Sequence, residues 1–377
     1  MRPAGAINII VKVTRRCNFS CEYCHDVSPG IRDMPFEVLA GTVASVLSQN
    51  GGKAFRFIWH GGEPLLMGSD FFRKAVALQG EFLRDGQSVK NTIQTNGTLL
   101  DAGFVSFLKR YGFSVGVSLD GPEDVHDAQR SMAGGRKSFD SVLEGIRRLQ
   151  DDEVPFGVLS VLTSRTMRLF PRDLLDFYRF HGITSIGFLP VRKDCQLNGE
   201  SLPAGDFGDY MVRLFDEWLS INDPGFEIRE FRDWIALALG LPGTRCSSAA
   251  TCIGGTYSVE PDGCLYSCDK FAGDSRFLFG DVGEIDFDAM EEHPVFRDLS
   301  RRDRQLPSMC SDCPWRRGCG GGCGHDRYLR AMTGESDSEC FLRKIIAIVR
   351  ERIERHPSAE ALLSALRQKA DPDICGV

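Results

Sequence analysis

Through the first half of the chain, short runs rich in Val, Ile and Phe alternate with longer stretches whose apolar residues recur every three or four positions. The runs Ile7–Val13, Ala54–Trp59, Val89–Gln94, Phe113–Leu119, Pro155–Leu162 and Thr184–Leu189 are nearly continuous in apolar residues. That pattern predicts parallel strands buried on both faces. The stretches Pro35–Gln49, Phe71–Arg84, Asp101–Tyr111, Ser138–Gln150 and Pro171–Phe180 carry helical periodicity and predict amphipathic helices between the strands. Gly112 and Gly182 stand where C-terminal caps belong. A strand–helix repeat of this kind implies an α/β fold with a parallel sheet or an open barrel.

The pattern changes near position 200. Residues 198–205 read as a linker, and Asp206–Ser220 and Glu230–Leu239 as helices. From Thr244 to Cys340 the chain is rich in Gly, Cys and Asp and weakly periodic. Tyr257–Val259 and Leu265–Ser267, joined by Glu260-Pro261-Asp262-Gly263, predict a small hairpin. The expectation is that this segment has too few apolar residues to fold by burial alone, and that something inorganic holds it. Phe341–Gln368 predicts an amphipathic helix broken near Pro357. The expected organisation is residues 1–195, a helical bridge over 196–243, and a cysteine-rich region over 244–377.

Composition narrows the function. Of 377 residues, 42% are hydrophobic, enough for a full core. The net charge of −7 argues against a nucleic-acid surface. No run of 18 apolar residues suggests a membrane span, and the opening MRPAGAINIIVKV lacks the marks of a signal peptide. A cytoplasmic protein is expected, without nucleic-acid or membrane partners. Only about six residues precede the first strand, so no N-terminal leader-recognition domain is expected.

Fourteen cysteines are distributed unevenly: three between positions 17 and 24, one at 195, and ten after 245. In a reducing compartment, clustered cysteines read as metal or cluster ligands. Cys17, Cys21 and Cys24 follow the first strand with C-x3-C-x2-C spacing. Three thiolates on one tight loop suit three irons of a cubane and leave the fourth iron open for substrate. A structural zinc loop is the alternative at this point, although zinc sites usually close with four ligands.

This spacing, with the aromatic Tyr23 before the third cysteine, resembles the signature of radical S-adenosylmethionine (SAM) enzymes. The resemblance implies a partial (β/α)6 barrel and a 4Fe–4S cluster whose open iron chelates SAM. An electron from the cluster would split SAM into methionine and a 5′-deoxyadenosyl radical. Gly61-Gly62-Glu63-Pro64 is similar to the family's GGEP motif, whose backbone receives the methionine ammonium; paired glycines let a ligand approach the backbone. By the same resemblance Asn96 and Ser118 contact SAM, Arg130 meets its carboxylate, and Leu189 packs on its adenine. These residues lie at strand ends, where parallel α/β folds place active sites. His60 is a substrate contact or a structural residue. Lys12, Arg15 and Arg16 tune charge near the cluster or sit in solvent.

The later cysteines resemble the SPASM extension of this superfamily. Cys252, Gly263, Cys268, Cys310, Cys313, Cys319, Cys323 and Cys340 appear in its order and spacing, and Cys246 matches an eighth cysteine of sulfatase-maturating members. The resemblance implies that Cys246, Cys252, Cys268 and Cys323 hold one auxiliary 4Fe–4S cluster, and Cys310, Cys313, Cys319 and Cys340 a second. With SAM and the first cluster, that makes three 4Fe–4S clusters and one consumed co-substrate. A zinc-ribbon-like module is the alternative. Cys264 reads as a hairpin residue, Cys375 as part of the terminus, and Cys195 as a buried thiol or an active-site neighbour. Asp269 corresponds to the favoured base of sulfatase-maturating enzymes; Lys270 and His325 are weaker candidates.

The function expected is two-electron oxidation or cross-linking of a side chain in a ribosomally made peptide or a protein. Alternatives are a sulfatase maturase forming formylglycine, a sugar or amino-acid dehydrogenase or epimerase, and a non-catalytic iron–sulfur protein. The expected partners are the peptide or protein substrate and a one-electron donor such as flavodoxin or ferredoxin. A leader, if bound, would fall to a separate leader-binding protein or to the bridge.

Overall fold

In the computed structural model of the chain, the structure describes residues 6–24, 33–49, 54–191, 204–243, 245–248, 253–333 and 340–357. Cys195, Cys252, Cys375 and the expected helix beyond 357 lie outside the described residues.

Strand β1 (Ile7–Thr14) is followed by the short β2 (Phe19–Cys21), helix α1 (Phe36–Leu47), β3 (Ala54–Gly61), α2 (Gly68–Phe82), β4 (Ser88–Thr95), α3 (Ala102–Arg110) and β5 (Ser114–Ser118). Then come α4 (Glu123–Gln129), β6 (Arg130–Met132), α5 (Phe139–Asp151), β7 (Phe156–Leu162), α6 (Pro171–Phe180) and β8 (Ser185–Pro190). The six expected strands are all present. They lie side by side and parallel in the order β1-β3-β4-β5-β7-β8. Their buried faces are packed with Val11, Phe57, Trp59, Ile93, Val117 and Phe188, as a sheet covered by helices on its crossovers requires. Asp101 caps α3 by accepting from Phe104 N at 2.7 Å. Gly112 and Gly182, at φ +65° and +66°, end α3 and α6 as expected.

The bridge contributes α7 (Ala204–Ile221), the two-residue strand β9 (Glu227–Ile228) and α8 (Arg229–Ala238). The remainder contains β10 (Thr256–Val259), β11 (Cys264–Tyr266), β12 (Leu278–Asp281), α9 (Pro294–Asp303), α10 (Arg316–Cys319), α11 (Gly324–Thr333) and α12 (Phe341–Arg355). α12 packs on α7 and α8 through Ile345, Ile346, Val349 and Ile353.

The expected hairpin β10–β11 is present and joins the main sheet: β10 pairs in parallel with β1, in register Asn8↔Thr256 to Val11↔Val259. The sheet thus has ten strands, with β12 and β9 at its open edges. The cysteine-rich region also carries apolar packing of its own. Tyr257 meets Phe287 edge-on at 5.2 Å, and Phe271, Phe277 and Tyr328 stack in a row at 4.5 and 5.0 Å. Leu265, Phe279 and Leu299 are buried beside them. Aromatic rings bury so much area each that a few suffice without helical periodicity.

Candidate active site and cluster sites

β1 ends in a bulge, with its register against β3 shifting between Lys12 and Thr14; such irregularities re-aim a strand beside functional sites. The loop that follows, Arg15–Cys24, carries Cys17, Cys21 and Cys24. Three strand ends clamp it. From β3, Gly62 N donates to Thr14 O and Glu63 N to Arg16 O, both at 2.8 Å. From β4, Asn96 Nδ2 donates to Asn18 Oδ1 at 2.7 Å, and Asn18 Nδ2 to Thr98 Oγ1 at 2.9 Å. From the far side, β2 pairs antiparallel with β6, placing Cys21 opposite Arg130.

The paired glycines are a packing requirement. A Cβ on Gly61 would lie 2.3 Å from Thr14 O, and one on Gly62 2.2 Å from Arg16 O. Glu63 is fully buried. Its carboxylate accepts from Leu65 N (3.0 Å), Thr95 Oγ1 (2.7 Å) and Asn96 N (2.7 Å). Burial pushes its pKa up to about 7, against the pull of these donors. Both carboxylate oxygens serve protein donors, so the contact expected of Glu63 falls to its backbone. The side chain's task is to tie β3 to β4.

Tyr23 and Arg130 meet on Asp120, at the end of β5. Asp120 is fully buried and accepts from Tyr23 Oη at 2.5 Å and Arg130 Nε at 2.9 Å through Oδ2, and from Val161 N at 2.9 Å through Oδ1. Arg130 lies over the Tyr23 ring, 5.2 Å from its centroid, with Nη1 3.9 Å from Cys21 Sγ. The guanidinium expected to meet a ligand carboxylate is thus held by an internal one and faces the cysteine loop. His126 Nδ1 accepts from Asp120 N at 3.2 Å, which assigns the proton to Nε2, 3.1 Å from Ser138 Oγ. Burial lowers the His126 pKa to about 4, so the ring is neutral.

Asn96 is buried, while Ser118 and Leu189 are half-buried. Ser118 Oγ accepts from Gln94 Nε2 at 3.1 Å. Because the strands run parallel, Gly61, Asn96, Ser118 and Leu189 come to one end of the sheet, at the C-terminal ends of its strands, beside Cys17–Cys24. Trp59 is core, its Nε1 donating to Asn91 Oδ1 at 2.9 Å. His60 is half-buried and its Nδ1 accepts from Gly61 N at 2.7 Å.

Asp269 follows Cys268 on a 3₁₀ turn and lies 2.6 Å from Lys12 Nζ. Lys12 is only 2% exposed and also lies 3.7 Å from Glu260, whose other oxygen pairs with Arg15. Lys12 and Arg15 therefore take the first of the places expected of them: both lie near the first cysteine loop and favour the charged form of Cys24. They join the strand leading into the first cysteine loop to the hairpin and to Asp269. Arg16 pairs instead with the half-exposed Asp33 at 2.7 Å. Lys270 Nζ reaches Asp326 at 2.8 Å and Cys323 Sγ at 3.5 Å. His325 is buried edge-on against Phe271.

The described thiols fall into three electrostatic groups. Burial raises the pKa of Cys17 to about 11 and of Cys21 to about 12, with Cys24 adding to both. Burial raises Cys268 to about 12, with contributions from Cys323 and Cys246. Burial also raises Cys310, with contributions from Cys340 and Cys313, and Cys319, with contributions from Cys340 and Cys310. Buried thiols that disfavour the thiolate need bound cationic metal to hold it. Among the described residues no three His, Cys, Asp or Glu converge on one point as a single ion demands; a cubane instead spreads its ligands over separate irons. The donor sets fit 4Fe–4S clusters, three thiols in the first group and four in the last, with Cys252 outside the described residues. Cys264 stands apart on β11, opposite Asp281.

Sequence reasoning missed Asp120, Asn18, Glu260 and Arg327. Arg327 Nη1 donates to Gly322 O at 2.6 Å, and Nη2 to Asp303 O at 3.0 Å, which ties down Gly320–Gly322, three successive glycines at φ +63° to +86°. Asp120 had a signal, a lone acid in the strand-end turn Ser118-Leu119-Asp120-Gly121. Asn18 and Glu260 had none, because their partners are far away in sequence; Arg327 had only its nearness to the glycine run, which does not show where its side chain turns.

Residues 11–168 match the model of the radical SAM superfamily, and residues 251–314 that of an iron–sulfur cluster-binding domain, SPASM. The serine-type anaerobic sulfatase-maturating enzyme of Klebsiella aerogenes is 30% identical over 316 residues, 81% of this chain and 76% of that protein. The cysteine-type enzyme of Clostridium perfringens (strain 13 / Type A) is 28% identical over 353 residues, 88% and 92% of the two chains. Native anSMEcpe with bound AdoMet superposes with a TM-score of 0.81 at 26% identity, covering 96% of this chain and 99% of that one. Streptococcus suis SuiB bound to S-adenosylmethionine shares the fold, with a TM-score of 0.62 at 16% identity over 88% of this chain and 75% of its own.

Proposed function

The chain belongs to the radical SAM superfamily, among the SPASM-bearing homologues of anaerobic sulfatase-maturating enzymes, and on that premise we propose that it oxidises a cysteine or serine side chain of a protein or peptide to an aldehyde. It is an enzyme, with SAM and 4Fe–4S clusters as cofactors. When bound, the first cluster supplies the electron that splits SAM into methionine and a 5′-deoxyadenosyl radical.

The residues of this chain divide the remaining work. Cys17, Cys21 and Cys24 hold the first cluster; Cys246, Cys252, Cys268 and Cys323 hold the second; Cys310, Cys313, Cys319 and Cys340 hold the third. The backbone of Gly61 and Gly62, with Tyr23, Asn96, Ser118 and Leu189, lines the SAM side at the C-terminal ends of the strands. Glu63 and Asp120 position those strand ends, and Arg130 neutralises charge beside Cys21. Loss of one Cβ hydrogen atom leaves a carbon radical on the substrate. Loss of the thiol or hydroxyl proton and of one electron then closes C=S or C=O; water converts the thioaldehyde to the aldehyde and hydrogen sulfide. Asp269 accepts the proton, and Lys12, 2.6 Å away, holds its carboxylate in place. Cys268, adjacent to Asp269, would hold an auxiliary cluster that could supply the one-electron acceptor.

One observation carries this reading. A carboxylate sits directly beside a cluster cysteine and is fastened to the buried Lys12 of the strand that leads into the first cysteine loop, in a chain that matches sulfatase-maturating enzymes over nearly its full length. The likeness to SuiB is one of fold and does not favour cross-linking. The test incubates reduced, reconstituted enzyme and SAM with sulfatase-type peptides carrying Cys, Ser or Ala at the target position. The expected product is an aldehyde trapped by a hydrazide from the Cys or Ser peptide. A Cys-peptide product that has lost two hydrogens but keeps its sulfur, or a Ser-peptide product of the aldehyde's mass that no hydrazide captures, points to a cross-link and overturns the proposal.

A further inference from the structure

Outside the site described above, α9 and the α10 loop enclose an open cavity of about 650 Å³. Four arginines line it, Arg297, Arg304, Arg316 and Arg317. All four are exposed, and none is ion-paired among the described residues. The acids on its wall are Glu291 and Asp303, and Asp303 is already engaged by Arg327. The basic surface continues along α9, where the exposed Arg301 and Arg302 share the single carboxylate of Asp298. In a chain of net charge −7, this is a concentration of charge against the overall sign, and such a patch steers partners of opposite charge.

Its position is the second observation. Arg316 N donates to Cys313 O at 3.2 Å, and Gly320 N to Arg316 O at 3.0 Å, so the arginines stand on the loop between Cys313 and Cys319. Cys313 is half-buried, with Cys310 and Cys319 buried just behind it. Arg327 at the glycine turn and Arg316 both favour the charged form of Cys310. Arg297, Arg304 and Arg317 add exposed positive charge beyond that. Spread over two elements, they suit the acidic face of a protein better than one small anion.

We propose that this face docks an acidic one-electron carrier protein of the flavodoxin or ferredoxin class. One electron passes from the reduced cluster held by Cys310, Cys313, Cys319 and Cys340 to the oxidised carrier. The cluster is oxidised by one, the carrier is reduced by one, and no bond or proton moves. This rests on the reading that those four cysteines hold a cluster.

The experiment mixes reduced, reconstituted holoenzyme, freed of dithionite, with oxidised acidic flavodoxin in a stopped-flow instrument and follows semiquinone formation. A separate measurement records flavodoxin binding to the oxidised holoenzyme. Transfer and binding should weaken about tenfold or more as salt rises from low to roughly physiological levels and beyond. R297E/R304E on α9 should lose at least about tenfold in both, and R317E severalfold. Iron content and dithionite-driven 5′-deoxyadenosine formation should stay unchanged. R297E/R304E, outside the ligand loop, keeps the test decisive if reversal at 317 disturbs that loop. Equal rates and binding in the variants, or indifference to salt, would overturn the proposal. So would competition by inorganic pyrophosphate at constant ionic strength, which would mark a small-anion pocket. Wild-type protein lacking the third cluster's iron would instead refute the ligand assignment beneath it.

Discussion

Replacing Gly62 by Ala should remove one cluster and spare the others. The added Cβ would lie 2.2 Å from Arg16 O, 2.6 Å from Arg16 C and 3.1 Å from Arg15 C. All three are backbone atoms, so no side chain can swing away; recovering ordinary contact means moving one strand by about 1 Å. Overpacking of this kind costs about 1–3 kcal/mol. The two amide bonds it strains, Gly62 N to Thr14 O and Glu63 N to Arg16 O, are worth about 0.5–1.5 kcal/mol each. The sum, about 2–6 kcal/mol, is comparable to a sizeable part of a typical total stability of about 5–15 kcal/mol. The chain escapes most of it by letting Arg16, and Cys17 after it, move away, and a 1 Å misplacement is enough to cost about 100-fold in a reaction. The assay is iron per chain together with the electron paramagnetic resonance signal that changes on adding SAM. G62A should lack that signal, lose the iron of one cluster, and keep the iron bound by the later cysteines. Gly68→Ala is the control. Gly68 has a positive φ, +73°, with ψ 161°, but nothing lies within 4 Å of its Cβ position, so only the backbone cost of about 1–3 kcal/mol applies and iron content should hold. Full iron and wild-type SAM cleavage in G62A would refute the argument that the glycines exist to let the cysteine loop pass.

Arg327→Met should give the reverse pattern, losing auxiliary iron while the SAM-responsive signal survives, because the turn between Cys319 and Cys323 loses its donors to Gly322 O and Asp303 O. Lys12→Met leaves the carboxylates of Asp269 and Glu260 without its cation, and removing one partner of a buried pair costs about 3–5 kcal/mol. The melting temperature should fall, and 5′-deoxyadenosine should accumulate without matching aldehyde, with Lys12→Arg restoring part of the coupling. Two buried groups should give opposite pH slopes in stability. Glu63 binds its proton more tightly when folded, about 7 against an ordinary 4.5, so its contribution is present at low pH and lost as pH rises from 4.5 through 7. His126 binds its proton less tightly, about 4 against 6.5, so its contribution is present above 6.5 and lost as pH falls through 4. Each is worth about 3 kcal/mol, and in the wild type they offset each other between pH 4.5 and 6.5. His126→Asn, which keeps an acceptor for Asp120 N, should expose a melting temperature that falls with pH across that window. Glu63→Gln should expose one that rises, and flat profiles in both would contradict the assignment.

The sequence alone determined what depends on neighbours along the chain. Uniformly apolar runs and helical spacing set the six parallel strands and their helices, since burial on both faces leaves its mark residue by residue. Cysteine spacing set the first cluster loop, because its three thiols must sit on one short turn. Tertiary structure decided whatever depends on residues far apart. Sequence gave no hint that β10 would lie against β1, because a short strand carries no label for its partner. It also could not show that Glu63 is walled in by Thr95 and Asn96, that Arg130 is held by Asp120, or that Lys12 reaches Asp269 across 257 positions of chain. Charge pairing is strong only where water is excluded, and which charges lose their water is known only once the chain has closed around them.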